Sequence, residues 1–198
     1  MKKEEILKLK EERSKDWRCY SQENSVLFNS YCRDERMVLS NMYPCQIEYN
    51  RLIFNPVDHL YHWLMFDGEG KDLKNKDGKN VRDLIYKCSG VCNGFEAKRI
   101  SRDFVKEGGV IPQQNLDKRY NTLKICHIAK AKCCREFRRV LRNSVGKDLV
   151  EFAYWGDAHY GCVENKETHD YEGINVCGRI MMKVRDMLIS GELGKFDD

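Results

Sequence analysis

The chain of 198 residues is long enough to bury a core as one domain, and its 41% hydrophobic and 33% charged residues are typical of a globular protein. No apolar run approaches the roughly 20 residues of a membrane span, and the charged start of the chain is unlike a signal peptide. We therefore expect a cytoplasmic protein with no membrane partner, whose 10 cysteines are thiols or metal ligands rather than disulfides. The net charge of +4 is too small to establish nucleic-acid binding.

The first segment, residues 1–25, is predicted to be a charged helical extension, because Lys and Glu alternate along it at the spacing of helical ion pairs. The main domain is expected over residues 26–190, beginning with a short apolar strand at Val26–Phe28. Residues 191–198 form a polar tail.

The stretch Val38–Phe66 organises the domain. A polar and aromatic turn ends at Pro44, and residues 46–54 have the pattern of a strand or short hairpin. A helix is then predicted to open at Asn55-Pro56, with Asn as the N-cap and Pro in the first turn. Apolar or aromatic residues occupy most sides of this helix, so we expect it to be buried most of the way round. Its Asp and His side chains then need partners, which a functional pocket would supply.

Further along the chain, residues 67–81 are rich in Gly, Lys and Asp and predict a loop. Helical spacing follows at residues 81–86, and one long helix is predicted from Asn121 to Leu141. A polar loop is expected at residues 158–172, and a last helix from Gly173 onward.

Two separated motifs carry a family resemblance. The first includes the following residues of the turn and helix: Leu39, Ser40, Asn41, Tyr43, Pro44, His59, Tyr61 and Phe66. The second consists of Tyr154-Trp155-Gly156 and the spacing of Asn175, Gly178, Met182 and Arg185. In this order and over residues 26–190, the chain resembles the NADAR (YbiA-like) family. It departs from the family on one helix face, where Asp58, His62 and Met65 stand in place of Glu, Gln and Lys.

The resemblance implies an α+β, mainly α-helical, single NADAR-type domain with a few short strands. One of these strands is expected at Leu149–Glu151, and a helix that bears Lys98 is expected at residues 94–99. It also implies an N-glycosidase that cleaves the bond between a base and a ribose phosphate. Family substrates include riboflavin-pathway intermediates and ADP-ribose attached to guanine in DNA. Such a reaction needs a carboxylate, an acid for the leaving nitrogen and exclusion of water, or a lysine that forms a Schiff base with the opened sugar.

The resemblance nominates four catalytic candidates, each with an ordinary structural alternative. Asp58 is the candidate carboxylate, although it could cap its helix. His62, one turn away, could hold a proton near neutral pH or be a core histidine. Lys98 matches a family lysine and could equally be a solvated helix residue. Glu151 ends a strand and could instead form a surface ion pair.

Ligand-binding candidates are spread over both motifs: Ser40, Asn41, Tyr61, Trp63, Trp155, Gly156, Asp157 and Asn175. The aromatic residues could stack on a base or lie in the core. A glycine at position 156 would let backbone amides approach a ligand. The polar residues could bind sugar or phosphate, or could form turns and a helix cap.

We expect no cofactor and no metal, since the pairs Cys88/Cys92, Cys126/His127 and Cys133/Cys134 lack the spacing of a zinc site. The expected ligand contains ribose phosphate or ADP-ribose. A basic helix side from Lys132 to Arg142 adds nucleic acid as a second candidate partner. The changes at Asp58, His62 and Met65 also leave open an inactive protein that binds ADP-ribose or an NAD-related nucleotide, and a purely partner-binding domain.

Overall fold

The computed structural model describes residues 2–88 and 93–196. The helices and strands follow one another as α1 Lys3–Glu12, β1 Arg18–Tyr20, β2 Ser25–Phe28, β3 Ile47–Tyr49, β4 Leu52–Phe54, α2 Val57–Leu64, α3 Val81–Lys87, α4 Asn93–Lys106, α5 Gln113–Asp117, α6 Arg119–Cys133, α7 Arg135–Asn143, β5 Asp148–Glu151, β6 Val163–Glu164, β7 Tyr171–Gly173 and α8 Val176–Ile189. Because 47% of the described residues are helical, short 3-10 helices included, and the strands are short, the predicted α+β, mainly α-helical class is confirmed. None of these helices is both long and apolar enough to cross a bilayer.

The chain forms two compact units. The first comprises Met1–Ser40 and Glu136–Asp198, and the second comprises Asn41–Arg135. In the first unit, β2 and β5 pair in parallel, and β1, β7 and β6 form an antiparallel sheet. Strand β1 lies in the segment predicted as an extension, yet it pairs with β7. The predicted charged surface helix is present as α1, which has no buried residue.

Helix α8 is fixed against β5 by close backbone approach. The side chain of Asn175, which precedes the helix, donates to the Leu149 carbonyl at 2.8 Å and accepts from the Glu151 N–H at 3.2 Å. Asn175 itself is fully buried, with a left-handed φ of 54°. A Cβ on Gly178 would collide with the Leu149 carbonyl oxygen, so only glycine lets the helix lie this close.

The second unit is built around α2. Strands β3 and β4 form the antiparallel hairpin predicted for residues 46–54, with the turn residues Asn50 and Arg51 at positive φ. Helices α3, α4 and α6 pack on α2. All eight residues of α2 are buried or half-buried, as its unusual pattern indicated. Met65, which stands where the family has a lysine, is buried just after this helix.

The predicted long helix is wrong in one respect that matters for function. Cys134 has an extended conformation (φ −110°, ψ 106°) that ends α6, and α7 starts at the next residue. Cys134 is buried and its thiol meets that of Cys45, so tertiary packing overrides helix propensity here. Lys132 therefore lies on a different helix from Arg138, and Arg138 is itself buried, with its guanidinium 4.4 Å from the Phe196 ring centroid. The predicted basic side of one helix does not exist as such.

Two further expectations change. The last helix begins at Val176 rather than Gly173, because the residues just before it form strand β7. The predicted loop at residues 158–172 contains β6 and the start of β7. Both strands are only two or three residues long, too short to show a period-2 pattern.

We predict that Gly178→Ala lowers the free energy of unfolding by about 3 kcal/mol, because the added methyl group meets backbone rather than a flexible side chain. Lys183→Ala, at an exposed position of the same helix, is the matched control and should change stability by less than about 0.5 kcal/mol. Urea denaturation measures both. Equal stabilities of the two variants would show that α8 has room to move away from β5.

Candidate functional site

The start of α2 differs from the prediction in a way that frees Asp58 from capping. The N-cap is Pro56, not Asn55, because the Asn55 side chain accepts a hydrogen bond from the Cys45 N–H at 2.9 Å. Asp58 is then the second helical residue, and its own N–H donates to the Asn41 carbonyl at 3.2 Å. A capping box needs an N–H at the N-cap, which proline lacks. Among the residues that the structure describes, the Asp58 carboxylate makes no hydrogen bond and no ion pair.

Asp58 lies in a recess. Its side chain keeps some accessible surface, yet protein surrounds it closely enough that burial raises its pKa to about 6, against the opposing influence of Lys98 and Lys130. A carboxyl group with this pKa exchanges its proton near neutral pH. Asp58 can therefore act as a proton donor as well as an anion.

The most unusual side chain of this unit is Lys130 on α6. It is fully buried, and its ammonium lies 5.5 Å from the ring centroid of Tyr43. Burial lowers its pKa to about 8, while Cys45, Cys134 and Asp58 act in the opposite direction. The shift from 10.5 corresponds to a cost of about 3 kcal/mol for keeping this amine charged. A lysine with a lowered pKa has a substantial neutral fraction, which makes it nucleophilic.

The cysteines around Lys130 are neutral thiols. The pKa of Cys45 is raised by its hydrogen bond with Cys134 and by burial. The pKa of Cys126 is also raised, by burial and by Asp58. Protonated thiols are weak nucleophiles, so the amine, not sulfur, is the nucleophile that this region offers.

His62 differs from the expectation of a proton held near neutral pH. Burial, together with the charges of Lys98 and His59, lowers its pKa to about 3, so the ring is neutral at physiological pH. It makes no hydrogen bond with Asp58 within the described part of the chain, and its buried Nδ1 has no hydrogen-bond partner there. An unpartnered buried nitrogen costs free energy unless a ligand or water meets it.

His59 has the ordinary role of a core histidine. Its Nδ1 accepts from the Asn55 N–H at 3.2 Å, and its Nε2 lies 2.9 Å from the Ile85 carbonyl. Since a carbonyl only accepts, the proton is on Nε2. Both nitrogens are therefore used by the fold.

Lys98 lies on α4, where Gly94 permits close packing on α2. A Cβ at this glycine would lie 2.8 Å from the Met42 sulfur and 3.1 Å from the Pro56 ring. Lys98 is exposed, and its charge influences the pKa of both Asp58 and His62. The structure thus brings three of the four predicted catalytic residues together in the second unit.

Two predicted aromatic ligands of the second unit differ in their surroundings. Trp63 is buried, with Phe54 at 5.1 Å and the Arg82 guanidinium only 3.5 Å from its ring centroid. One ring face is therefore covered, which fits the core alternative. Tyr61 is half-buried, with its ring 5.3 Å from that of His62.

The remaining candidates lie elsewhere in the chain. Asn41 belongs to the second unit, and the others belong to the first: Ser40, Glu151, Trp155, Gly156, Asp157 and Asn175. The Asp157 side chain accepts from the N–H groups of His159 and Tyr160, both at 3.0 Å, which is the turn-forming alternative. Gly156 has a φ of 91°, a left-handed value that favours glycine, and Trp155 is 48% exposed. Ser40 is buried and Glu151 half-buried.

Metal-ligating side chains do not cluster in the described ranges, where no group of three His, Cys, Asp or Glu residues is placed to hold an ion. Cys92, one member of a pair considered from the sequence, lies outside the described residues. The other described cysteines are free thiols.

Lys130 was missed by the sequence analysis. The buried side of α6 contains Leu123, Cys126, Lys130 and, just beyond the helix, Cys134. These positions are spaced by three or four residues, so the lysine falls on the stripe that faces the core. A lysine on a stripe of otherwise apolar residues is the signal in the sequence that indicates its burial.

We predict that Asp58→Asn changes the pH dependence of stability. An acid whose folded pKa is raised binds its proton more tightly in the folded state, so wild-type stability falls as the pH rises from about 4 to about 6. Asn cannot ionise, so the variant should gain about 1–2 kcal/mol on the wild type over this interval, less than the full shift because the side chain keeps solvent access. Asp83→Asn in the first turn of α3 is the exposed control. Parallel pH curves for Asp58→Asn and wild type would contradict the burial of this carboxyl.

Comparisons with known proteins agree on the fold alone. No protein-family model matches the chain, and no curated protein matches its sequence. Among solved structures, the NMR structure of the E. coli protein YbiA aligns with a TM-score of 0.63 over 89% of this chain and 95% of that chain, at 19% sequence identity. The chain therefore has a YbiA-like fold.

Proposed function

We propose that this protein is an N-glycosidase-type hydrolase that cleaves the bond between a base and a ribose phosphate. The observation that carries the proposal is the buried amine of Lys130, with its pKa lowered to about 8, in the same unit as the Asp58 carboxyl, with its pKa raised to about 6. The YbiA-like fold and the sequence resemblance to the NADAR family support the substrate class. ADP-ribosylated guanine in DNA and riboflavin-pathway intermediates are the candidate substrates.

The two groups fit a covalent route. In this route the Lys130 side chain first turns from its buried position toward the ligand. Its neutral amine then attacks C1 of the ribose, and the C1–N bond to the base breaks with its electron pair going to the base nitrogen. Asp58 supplies the proton that the leaving nitrogen needs. The amine adduct opens the sugar ring to an imine, and water then hydrolyses the imine, which releases the sugar aldehyde and restores the amine. The net reaction consumes one water.

Neighbouring groups have supporting roles in this proposal. The neutral ring of His62 offers its unpartnered Nδ1 as an acceptor for a ribose hydroxyl. The exposed ammonium of Lys98 attracts the phosphate and stabilises the anionic form of Asp58 after proton transfer. Ser40, Trp155, Asp157 and Glu151 stay predicted contacts with the ligand.

A second candidate function is that of a catalytically inactive protein that binds an ADP-ribose-like nucleotide. It is favoured by the buried Met65 at the position of the family lysine, because methionine can neither form an imine nor bind phosphate. The two proposals differ in the fate of the ligand, which is released intact in the second case.

We predict that borohydride traps a covalent sugar adduct on Lys130. Incubation with ADP-ribosylated oligonucleotide, NAD or a pyrimidine ribose phosphate, followed by reduction of the imine, should add the mass of the reduced sugar phosphate to the tryptic peptide that contains Lys130. Lys130→Met should remove the adduct and lower turnover by at least about 1000-fold, a typical loss for a nucleophile. Lys132→Met, an exposed lysine on the same helix, should keep both.

The outcomes separate the alternatives. An adduct on Lys98 would support the glycosidase function but would identify Lys98, not Lys130, as the nucleophile. Tight binding of ADP-ribose without base release would support the inactive nucleotide-binding protein. If the protein neither turns over nor binds any of the three substrates, both proposed functions are wrong.

We also predict a bell-shaped dependence of kcat/KM on pH. The reaction needs Asp58 protonated and Lys130 neutral, so activity should rise up to about pH 6, remain flat, and fall above about pH 8. Asp58→Asn should remove the fall at high pH, because deprotonation of this carboxyl no longer limits the reaction, so the residual activity should rise up to about pH 8 and then stay flat. The wild-type profile depends on the product of two fractions, protonated Asp58 and neutral Lys130, so it does not show which group causes which limb. The profile of the variant makes that assignment.

A further inference from the structure

An exposed group of three aromatic rings lies in the first unit. Tyr31 is 67% exposed, Tyr154 55% and Trp155 48%, and we call these three residues the aromatic platform. The ring centroids of Tyr31 and Tyr154 are 5.4 Å apart, and those of Tyr154 and Trp155 are 5.1 Å apart. The rings are tilted or perpendicular to one another, so their faces are not used up by mutual stacking.

Hydrogen bonds and ring contacts of neighbouring residues hold the platform in place. The buried side chain of Asn29 donates to the Phe152 carbonyl at 3.3 Å and accepts from the Tyr31 N–H at 2.9 Å. It thereby ties the segment after β2 to the segment after β5. The Phe152 ring packs between Tyr154, at 5.9 Å, and Tyr171, at 5.2 Å. A ring set fixed before binding loses little conformational entropy when a ligand stacks on it.

The surroundings of Tyr31 are cationic on balance. Asp34 pairs with Arg36 at 2.7 Å, and Glu35 pairs with Arg139 of α7 at 3.4 Å. Arg33 is exposed and has no carboxylate partner among the described residues. The two acidic side chains of this segment are thus neutralised, and one guanidinium remains for an anion.

We propose that the aromatic platform binds the unpaired bases of single-stranded nucleic acid. Base stacking on exposed Tyr and Trp rings needs no particular sequence, and an adjacent arginine meets the phosphate backbone. A duplex hides its bases in its own stack and offers the rings nothing to contact. Trp155 is also a predicted contact of the glycosidase ligand, whereas Tyr31 and Tyr154 have no role in that reaction, so variants of these two tyrosines test the platform separately.

The test measures fluorescence anisotropy of a labelled oligothymidylate of roughly 12 nucleotides with the full chain. We expect Tyr31→Ala and Tyr154→Ala each to weaken binding by about 5-fold or more, the usual effect of losing one stacked base. Tyr31→Phe keeps the ring and should stay within about twofold of wild type. Phe95→Ala removes an equally exposed ring (61%) in the second unit and is the matched control. Arg33→Gln should weaken binding and make it less sensitive to salt.

Three results would overturn the proposal. The first is equal affinity for the single strand and for the matching duplex. The second is unchanged affinity in both Tyr→Ala variants when their circular dichroism shows a native fold. The third is a dimer in sedimentation that Tyr31→Ala dissociates while no oligonucleotide binds, which would make the platform a contact between two copies of this chain.

Discussion

The proposed chemistry depends on the burial of one amine. Lys130 sits on the stripe of α6 that faces the core, where the chain would normally place an apolar residue. The side chain is fully buried, so its charged form is disfavoured, and the Tyr43 ring centroid lies 5.5 Å from the ammonium. Strongly perturbed pKa values are a common feature of functional sites. Burial also shifts the pKa of Asp58. Because the charged form of a carboxyl is the deprotonated one, its pKa is raised and the group keeps its proton to a higher pH.

The local fold creates these environments. The side chain of Asn55 bonds to the backbone at Cys45, which leaves Pro56 as the N-cap of α2 and deprives Asp58 of the usual capping partner. The end of α6 at Cys134 places a second thiol near the amine. Neither feature is a catalytic residue, yet the first removes the capping role that would otherwise occupy the Asp58 carboxylate.

Elements with a local hydrophobic period could be predicted from the sequence, whereas features that depend on tertiary contacts could not. The hairpin and the buried helix after Pro56 followed from hydrophobic period and turn chemistry, whereas the strand Leu149–Glu151 followed from the family resemblance. The break at Cys134 could not be read from propensity, since it reflects packing. Likewise, the family resemblance nominated Asp58, His62 and Lys98. The expected titration of His62 near neutral pH is wrong, because burial lowers its pKa to about 3. Lys130 has no motif, and its importance follows only from its burial.

The most direct test of the account is an NMR titration of lysine side chains carrying 13C at Cε. One lysine resonance should titrate near pH 8, and it should be absent from the spectrum of Lys130→Met while that of Lys132→Met retains it. If every lysine of the folded protein titrates near pH 10.5, the amine of Lys130 is solvated, and the chemistry proposed for this site has no nucleophile.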